Sequence, residues 1–381
     1  MSPEGIQHRS SLKIQDIEIL RGVAVISVVI QHLHGVLITQ HYALFDFFFR
    51  YFGLGVGVDI FFAVSGFVIA RQLVLDLLGC RSSGQRARVV ASFWIRRFWR
   101  LLPSAWLWLA LILLAVFFFN RSGAFGSVQA NYEATIAGVF QFANVRFADL
   151  FLRAEYGASF VYWSLSTEEQ FYLLFPFVVL LAGKKIPWVL ALAAFIQLAA
   201  PRNLLWFLLR TEALALGALI AWWQSYSSYR TCEPKFMGRR WLRGPVLLAL
   251  LSLMAWASAA GIRFYPYNTG LVSLFGVLLV FFASYDRGYV DVPAPLRPLL
   301  LWLGSRSYTL YLVHVPAFFL TREIFYRLAQ AAVVDGAEHW LRMLIVSIII
   351  AIFLVEINYR YIEVPCRLYG ANLAKKIARK I

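Results

Sequence analysis

Arg21 and His32 stand in one otherwise apolar run, Glu18-Ile-Leu-Arg21-Gly-Val-Ala-Val-Ile-Ser-Val-Val-Ile-Gln-His32. On a helix their spacing is three turns plus about 20°, so both side chains project from one face, about 16 Å apart along the axis. A guanidinium holds phosphate, and an imidazole takes or gives a proton near neutral pH. A second basic group is Phe93-Trp-Ile-Arg96-Arg97-Phe-Trp-Arg100-Leu-Leu-Pro103. Arg97 and Arg100 are three apart and therefore neighbours on a helix, where two forks side by side suit a phosphate or pyrophosphate. Arg96 is read as a charge that sets topology.

A third group is Tyr162-Trp-Ser164-Leu-Ser166-Thr-Glu168-Glu169-Gln-Phe-Tyr172, in which two carboxylates stand among aromatic residues. Glu168 and Tyr172 share a helix face. Ser166 and Glu169 have capping-box spacing, which marks Glu169 as structural. Asp59 follows alternating glycines in Gly55-Val-Gly57-Val-Asp59-Ile-Phe-Phe-Ala-Val-Ser65-Gly66-Phe67, a pattern better suited to close helix packing than to a phosphate loop. Tyr308, Tyr311 and His314 recur every three residues, and Glu363 closes Tyr361-Ile-Glu363-Val-Pro365 beside basic residues. No phosphate-binding GxxxxGK[ST], HExxH or GxSxG pattern is present.

These residues must be positioned by membrane helices. Hydrophobic residues make up 61% of the chain and charged residues 15%, with a mean hydropathy of +0.67. That composition excludes a water-soluble fold. The fold class is all-α, a polytopic bundle of about ten membrane helices. They run near 17–38, 54–78, 101–119, 164–182, 186–200, 203–224, 245–261, 266–285, 299–320 and 340–362. The stretch 136–148 is too short to cross and is expected to lie at the interface or re-enter. Most of the 36 Lys and Arg fall in the N-terminus, alternate loops and the C-terminus. That bias places both termini in the cytoplasm. The net charge of +16 is spread through short loops rather than gathered on one face, so no nucleic-acid partner is expected. Cys80, Cys232 and Cys366 fall in segments assigned to the cytoplasm and are expected to be reduced. The organisation is a short cytoplasmic segment, 1–16, one membrane domain, 17–365, and a basic tail, 366–381.

In this order the motifs resemble the membrane-bound acyltransferase family 3, which includes bacterial O-acetyltransferases of surface polysaccharides and nodulation factors. The resemblance runs from Glu18-Ile-Leu-Arg21 and His32 through Gly57 to Phe67, Arg97 to Pro103, Trp163 to Tyr172, Ser307 to His314 and Tyr361 to Pro365. Many members begin the first motif Leu-Asp-Gly-Leu-Arg, where this chain has Ile17-Glu18-Ile-Leu-Arg21, so the charge is kept and the glycine lost. The hydrolase-like extracytoplasmic domain of some members is not recognised in this chain.

The resemblance implies a multi-pass protein of the bacterial inner membrane. It implies acetyl-CoA or another acyl-CoA as cytoplasmic donor, and a carbohydrate or glycoconjugate acceptor. It casts Arg21, Arg97 and Arg100 as donor-binding, His32 as the base, and Glu168 as the group that orients His32 or the acceptor. Asp59, Ser65, Tyr172, Tyr311 and His314 are assigned to the substrate pocket, and no metal is expected. The competing reading is a secondary transporter or flippase of a glycan or small anion, which would also hold charges near the midplane.

Overall fold

The computed structural model describes residues 14–40, 42–199, 209–259, 268–328 and 339–378. Within these the regular structure is helical throughout. In chain order the main helices are α1 (Gln15–His32), α2 (Ala43–Tyr51), α3 (Gly57–Gly79), α4 (Ser83–Phe118) and α5 (Val128–Val139). They continue with α6 (Ala143–Leu150), α7 (Tyr162–Ala182), α8 (Ile186–Ala199), α9 (Glu212–Trp223) and α10 (Arg240–Ala257). The last five are α11 (Asn268–Ala283), α12 (Arg297–Ser305), α13 (Ser307–Leu328), α14 (His339–Asn358) and α15 (Val364–Ala378).

Among the described residues five helical runs are long and apolar enough to cross a membrane: Gln15–Leu37, Leu54–Gly79, Ser83–Phe118, Tyr162–Ala199 and Trp340–Ala378. Two shorter apolar helices are Glu212–Trp223 and Asn268–Ala283. With Leu and Phe exposed along these helices, Leu181 and Phe117 among them, the protein is a multi-pass membrane protein. The expected stretches 203–224 and 266–285 begin in residues outside those described. The expected stretch 299–320 is two helices, because the chain leaves helical geometry at Arg306 between α12 and α13. The stretch 136–148 becomes α5 and α6, separated by Gln141 with φ +60°.

Local chemistry sets several boundaries. Ser82 caps α4 through a reciprocal pair, its hydroxyl accepting from the Gln85 N–H and the Gln85 amide oxygen accepting from the Ser82 N–H. The chain turns out of helix just after His32. His34 is extended and Gly35 has φ +86°, a conformation that favours glycine. Gly57 packs against the Ala24 carbonyl of α1, the close approach read from the glycine pattern. The expected basic tail, 366–381, is helical over its described part, which belongs to α15 and runs along α4. Ser92 donates to the Ala374 carbonyl, and the Trp99 ring meets the Tyr369 ring edge-on at 4.6 Å.

The core of the bundle depends on backbone proximity. A methyl group on Gly66 of α3 would meet the Leu214 carbonyl of α9, and one on Gly217 of α9 would meet the Ala63 carbonyl of α3. Only small residues let two apolar helices approach this closely, and dispersion between their backbones replaces the hydrophobic drive that lipid removes. Gly66→Val is therefore expected to destabilise the bundle by about 1–3 kcal/mol through overpacking. A lower thermal midpoint in detergent is the expected reading, and an unchanged one would show that α3 and α9 do not touch there.

Candidate functional site

α1, α4 and α13 run in the same direction away from a basic pocket, and α7 returns towards it. At the basic end Tyr308, near the start of α13, donates to the Leu101 carbonyl of α4. At the far end Glu323 of α13 accepts from the backbone N–H groups of Arg121 and Ser122, just beyond α4. The functional side chains fall at two levels of this frame.

The first level is a cavity of about 110 Å³ lined by Gln72, Arg96, Arg97, Arg100, Arg367 and Ala371. Arg97 is buried, donates to Gln72 at 3.4 Å and lies over the Tyr172 ring at 5.2 Å. The charges acting on Arg100 come from Arg21, Arg97, Arg367 and Glu363. Among the described residues Arg100 makes no hydrogen bond or ion pair. Arg21 is held by Glu18 at 3.3 Å. Glu363 accepts from Thr309 at 2.6 Å and pairs with Arg367 at 3.6 Å, so it steadies one wall of the pocket. Several guanidinium groups converging on one cavity, with little carboxylate to neutralise them, make a site for a multiply charged anion such as a polyphosphate.

Arg21, Arg97 and Arg100 are thus brought together, and Arg96, read from sequence as topological, lines the same cavity. Arg367 was missed because it lies in the presumed tail, five residues beyond the last apolar stretch. Its helical distance of four from Glu363 is the one signal that pointed to it.

Glu168 lies on α7 one turn from Tyr172, whose ring meets Arg97. The hydroxyls of Ser65 and Tyr172 are within hydrogen-bonding reach of its carboxylate, and its nearest cations are Arg97 and Arg21. It therefore belongs to the arginine end, and the imidazole of His32 is oriented by a different residue. The capping box at Ser166 and Glu169 does not form. α7 begins four residues earlier, at Tyr162, so Ser166 is inside the helix and accepts from the Ala143 N–H instead. Glu169 is left with Oε1 buried and without a hydrogen bond, and Arg97 is the cation that acts on it.

The second level is a histidine pair. His32 Nδ1 and His314 Nε2 are 2.9 Å apart, with ring centroids at 5.1 Å. His314 is fully buried and its Nδ1 lies 2.8 Å from the Tyr311 carbonyl and 3.2 Å from that of Leu310. A carbonyl only accepts, so Nδ1 of His314 carries the proton and Nε2 of the neutral ring is the acceptor. The proton between the rings therefore belongs to His32 Nδ1. That leaves His32 Nε2 with its lone pair, and among the described residues nothing else hydrogen-bonds to His32. Half-buried His32 is thus presented as a base in a single tautomer. The sequence assigned His314 to the substrate pocket. The structure puts it behind His32 because the three-residue spacing from Tyr311 turns its ring to α1.

Two other expected pocket residues are engaged elsewhere. Tyr311 donates to the Val161 carbonyl at 3.0 Å and meets Ser164 Oγ at 2.6 Å, fixing the start of α7 on α13. Asp59, 1% exposed, pairs with Arg210 at 3.4 Å, and the Ser273 hydroxyl stands between its carboxylate at 3.1 Å and that of the buried Glu212 at 2.9 Å, with one proton to share. No open surface reaches it.

A half-buried imidazole with one ring nitrogen free among the described residues and an arginine-lined anion pocket thus stand along one helix of a membrane bundle. The chain belongs to the acyltransferase family whose domain model matches residues 14–356. It is 25% identical over 382 residues to the peptidoglycan O-acetyltransferase OatA of Listeria monocytogenes, covering 94% of this chain and 56% of that protein. It is also 25% identical to the O-acetyltransferase OatA of Staphylococcus aureus, covering 92% of this chain and 57% of that one. A putative peptidoglycan O-acetyltransferase, YrhL of Bacillus subtilis, matches at 25% identity over 92% of this chain and 54% of its own length. The chain therefore spans just over half the length of these curated relatives. No solved structure matches it.

Removing one member of a buried ion pair leaves the other charged and unpaired, which costs about 3–5 kcal/mol. Asp59→Ala is expected to show that loss as poor folded yield and a lowered thermal midpoint. A variant that stays fully stable but binds acceptor weakly would return Asp59 to the substrate pocket.

Proposed function

We propose that this protein is a membrane O-acyltransferase that moves an acetyl group from acetyl-CoA in the cytoplasm to a sugar hydroxyl of a cell-surface glycan on the other side of the bacterial inner membrane. The observation that carries this reading is the position of the arginine pocket and the His32–His314 pair at two levels of α1. The Lys and Arg bias supports about ten crossings with both termini inside, which puts the arginine pocket at the cytoplasmic face. The printed names of the relatives support a peptidoglycan-type glycan as acceptor.

In this mechanism Arg97 and Arg100 hold the phosphates of the donor, with Arg21, Arg96 and Arg367 around them. The flexible arm of the donor then lies along α1 and carries the thioester towards His32. A sugar hydroxyl oxygen attacks the thioester carbonyl carbon as its proton passes to His32 Nε2. The carbon–sulfur bond breaks, and the departing thiolate recovers a proton from the imidazolium. His314 holds the tautomer throughout, because its own Nδ1–H is tied to the Tyr311 carbonyl and its Nε2 faces the proton on His32. Glu168, with Ser65 and Tyr172, balances the charge of Arg97 when the site is empty.

With purified protein, labelled acetyl-CoA and peptidoglycan glycan strands, His32→Ala is expected to lower kcat by about 10²–10⁴-fold, the usual worth of a general base. Donor KM should stay near the wild-type value. Arg100→Ala is expected to do the reverse, raising donor KM tenfold or more with a smaller effect on kcat. Full activity in His32→Ala would end the base assignment. His314→Phe, which keeps the ring and loses the acceptor nitrogen, should lower kcat by roughly tenfold or more while donor affinity holds. A purely packing role for His314 would instead leave kcat unchanged.

A further inference from the structure

At the end of the bundle opposite the arginines, the loops flanking α5 and α6 enclose a cavity of about 370 Å³, within the range of small-molecule sites. Its walls include the rings of Phe147, Phe151, Tyr156, Phe160 and Phe319, with the carboxylate of Glu155. No Lys or Arg lines it. Nothing in the transfer mechanism above uses it.

The cavity adjoins the histidine pair from behind. Phe160 is in its wall, and the same ring meets His32 edge-on at 5.3 Å. Phe319 is in the opposite wall, and its neighbour Phe318 meets His314 edge-on at 6.0 Å. A ligand seated here therefore touches Phe160, the ring packed edge-on against the base.

The walls are set without a ligand. Asn131 is fully buried, and its amide donates to the carbonyls of Phe125 and Ser127 while its oxygen accepts from the Ala158 N–H. Arg146 donates to the Tyr156 carbonyl at 2.9 Å and lies over that ring at 4.6 Å. Glu155 Oε1 accepts from the Ser127 N–H at 3.0 Å, which spans the mouth from one loop to the other. Gly126 and Gly157 take φ of +82° and +105°, so the backbone itself, free of side chains, forms part of the surface. A preformed pocket of this kind binds without a large ordering cost.

Aromatic faces carry partial negative charge and attract the polarised C–H groups of a sugar ring, while a carboxylate and open backbone accept and donate to hydroxyls. The lack of cationic lining disfavours a phosphate or other anion. From this geometry we infer that the outer-loop cavity walled by Phe147, Phe151, Tyr156 and Phe160 is the subsite that seats an uncharged pyranose ring of the acceptor glycan beside His32. This rests on the acyltransferase reading above and names where its acceptor binds.

The test is calorimetric binding of a β-1,4-linked N-acetylglucosamine tetrasaccharide to the full chain in nanodiscs. Phe151→Ala and Glu155→Gln alter exposed residues, and unchanged thermal midpoints would show that both variants fold. Each is expected to weaken binding at least tenfold for the ring and severalfold for the carboxylate. Wild-type affinity in both folded variants, no binding by the wild type, or displacement of the sugar by free fatty acid would overturn the subsite. Acetyl-CoA consumption by the wild type, and its loss of donor affinity in Arg100→Ala, reports separately on the acyltransferase reading. Failure of that measurement with intact, variant-sensitive sugar binding would remove the enzyme and keep the pocket.

Discussion

A charge inside an apolar body must be answered by another polar group, and this constraint organises the whole bundle. Asp59 and Arg210 answer each other across α3 and the segment before α9, and Ser273 of α11 joins them to Glu212. Asn358 of α14 does similar work, taking a bond from Trp108 and giving bonds to Ser104 and Thr309, which ties α14 to α4 and α13. These closed networks make the scaffold specific. They also give the open groups their meaning: among the described residues, Arg100 faces a cavity with no hydrogen-bonded partner and His32 keeps one ring nitrogen unengaged.

The same constraint separates residues that look alike in sequence. Asp59 and Glu168 are both carboxylates at the edge of an apolar run. Asp59 is sealed by an arginine from the segment before α9 and a serine of α11. Glu168 stands beside Arg97 within reach of two hydroxyls, close to the cavity. Tyr308 and Tyr311 both spend their hydroxyls on backbone carbonyls of neighbouring helices, so they are struts between α13 and its neighbours. His314, three residues on, is the one whose ring reaches α1. A strut and a positioning residue share a helix face and differ in what the opposite helix offers.

The two levels of the site are spaced by a single helix. α1 holds Arg21 near the basic cavity and His32 about three turns away, and its regular geometry keeps that separation fixed. The break at His34 and Gly35 immediately after His32 ends the helix, and Leu37 and Ile38 beyond it pack back against Phe318 of α13. Close backbone packing of α1 against α3 at Gly57, and of α3 against α9 at Gly66, makes this frame rigid. A rigid frame suits a reaction in which one substrate is held far from the atom that reacts.

The helical membrane class, the facing of Arg21 and His32, and the pairing of Arg97 with Arg100 were all legible in the sequence. Each depends on composition or on the period of one helix, and both are local. Among the described residues five helical runs are long and apolar enough to cross, and one of them, Tyr162–Ala199, takes in two expected stretches, so the number of crossings rests on charge bias. Tertiary structure alone decided that His314 backs His32, that Arg367 returns to the arginine cavity, that Ser166 lies inside α7, and that Asp59 is sealed. Those outcomes depend on which helix lies opposite, a relation between residues up to about 280 positions apart that no local period encodes.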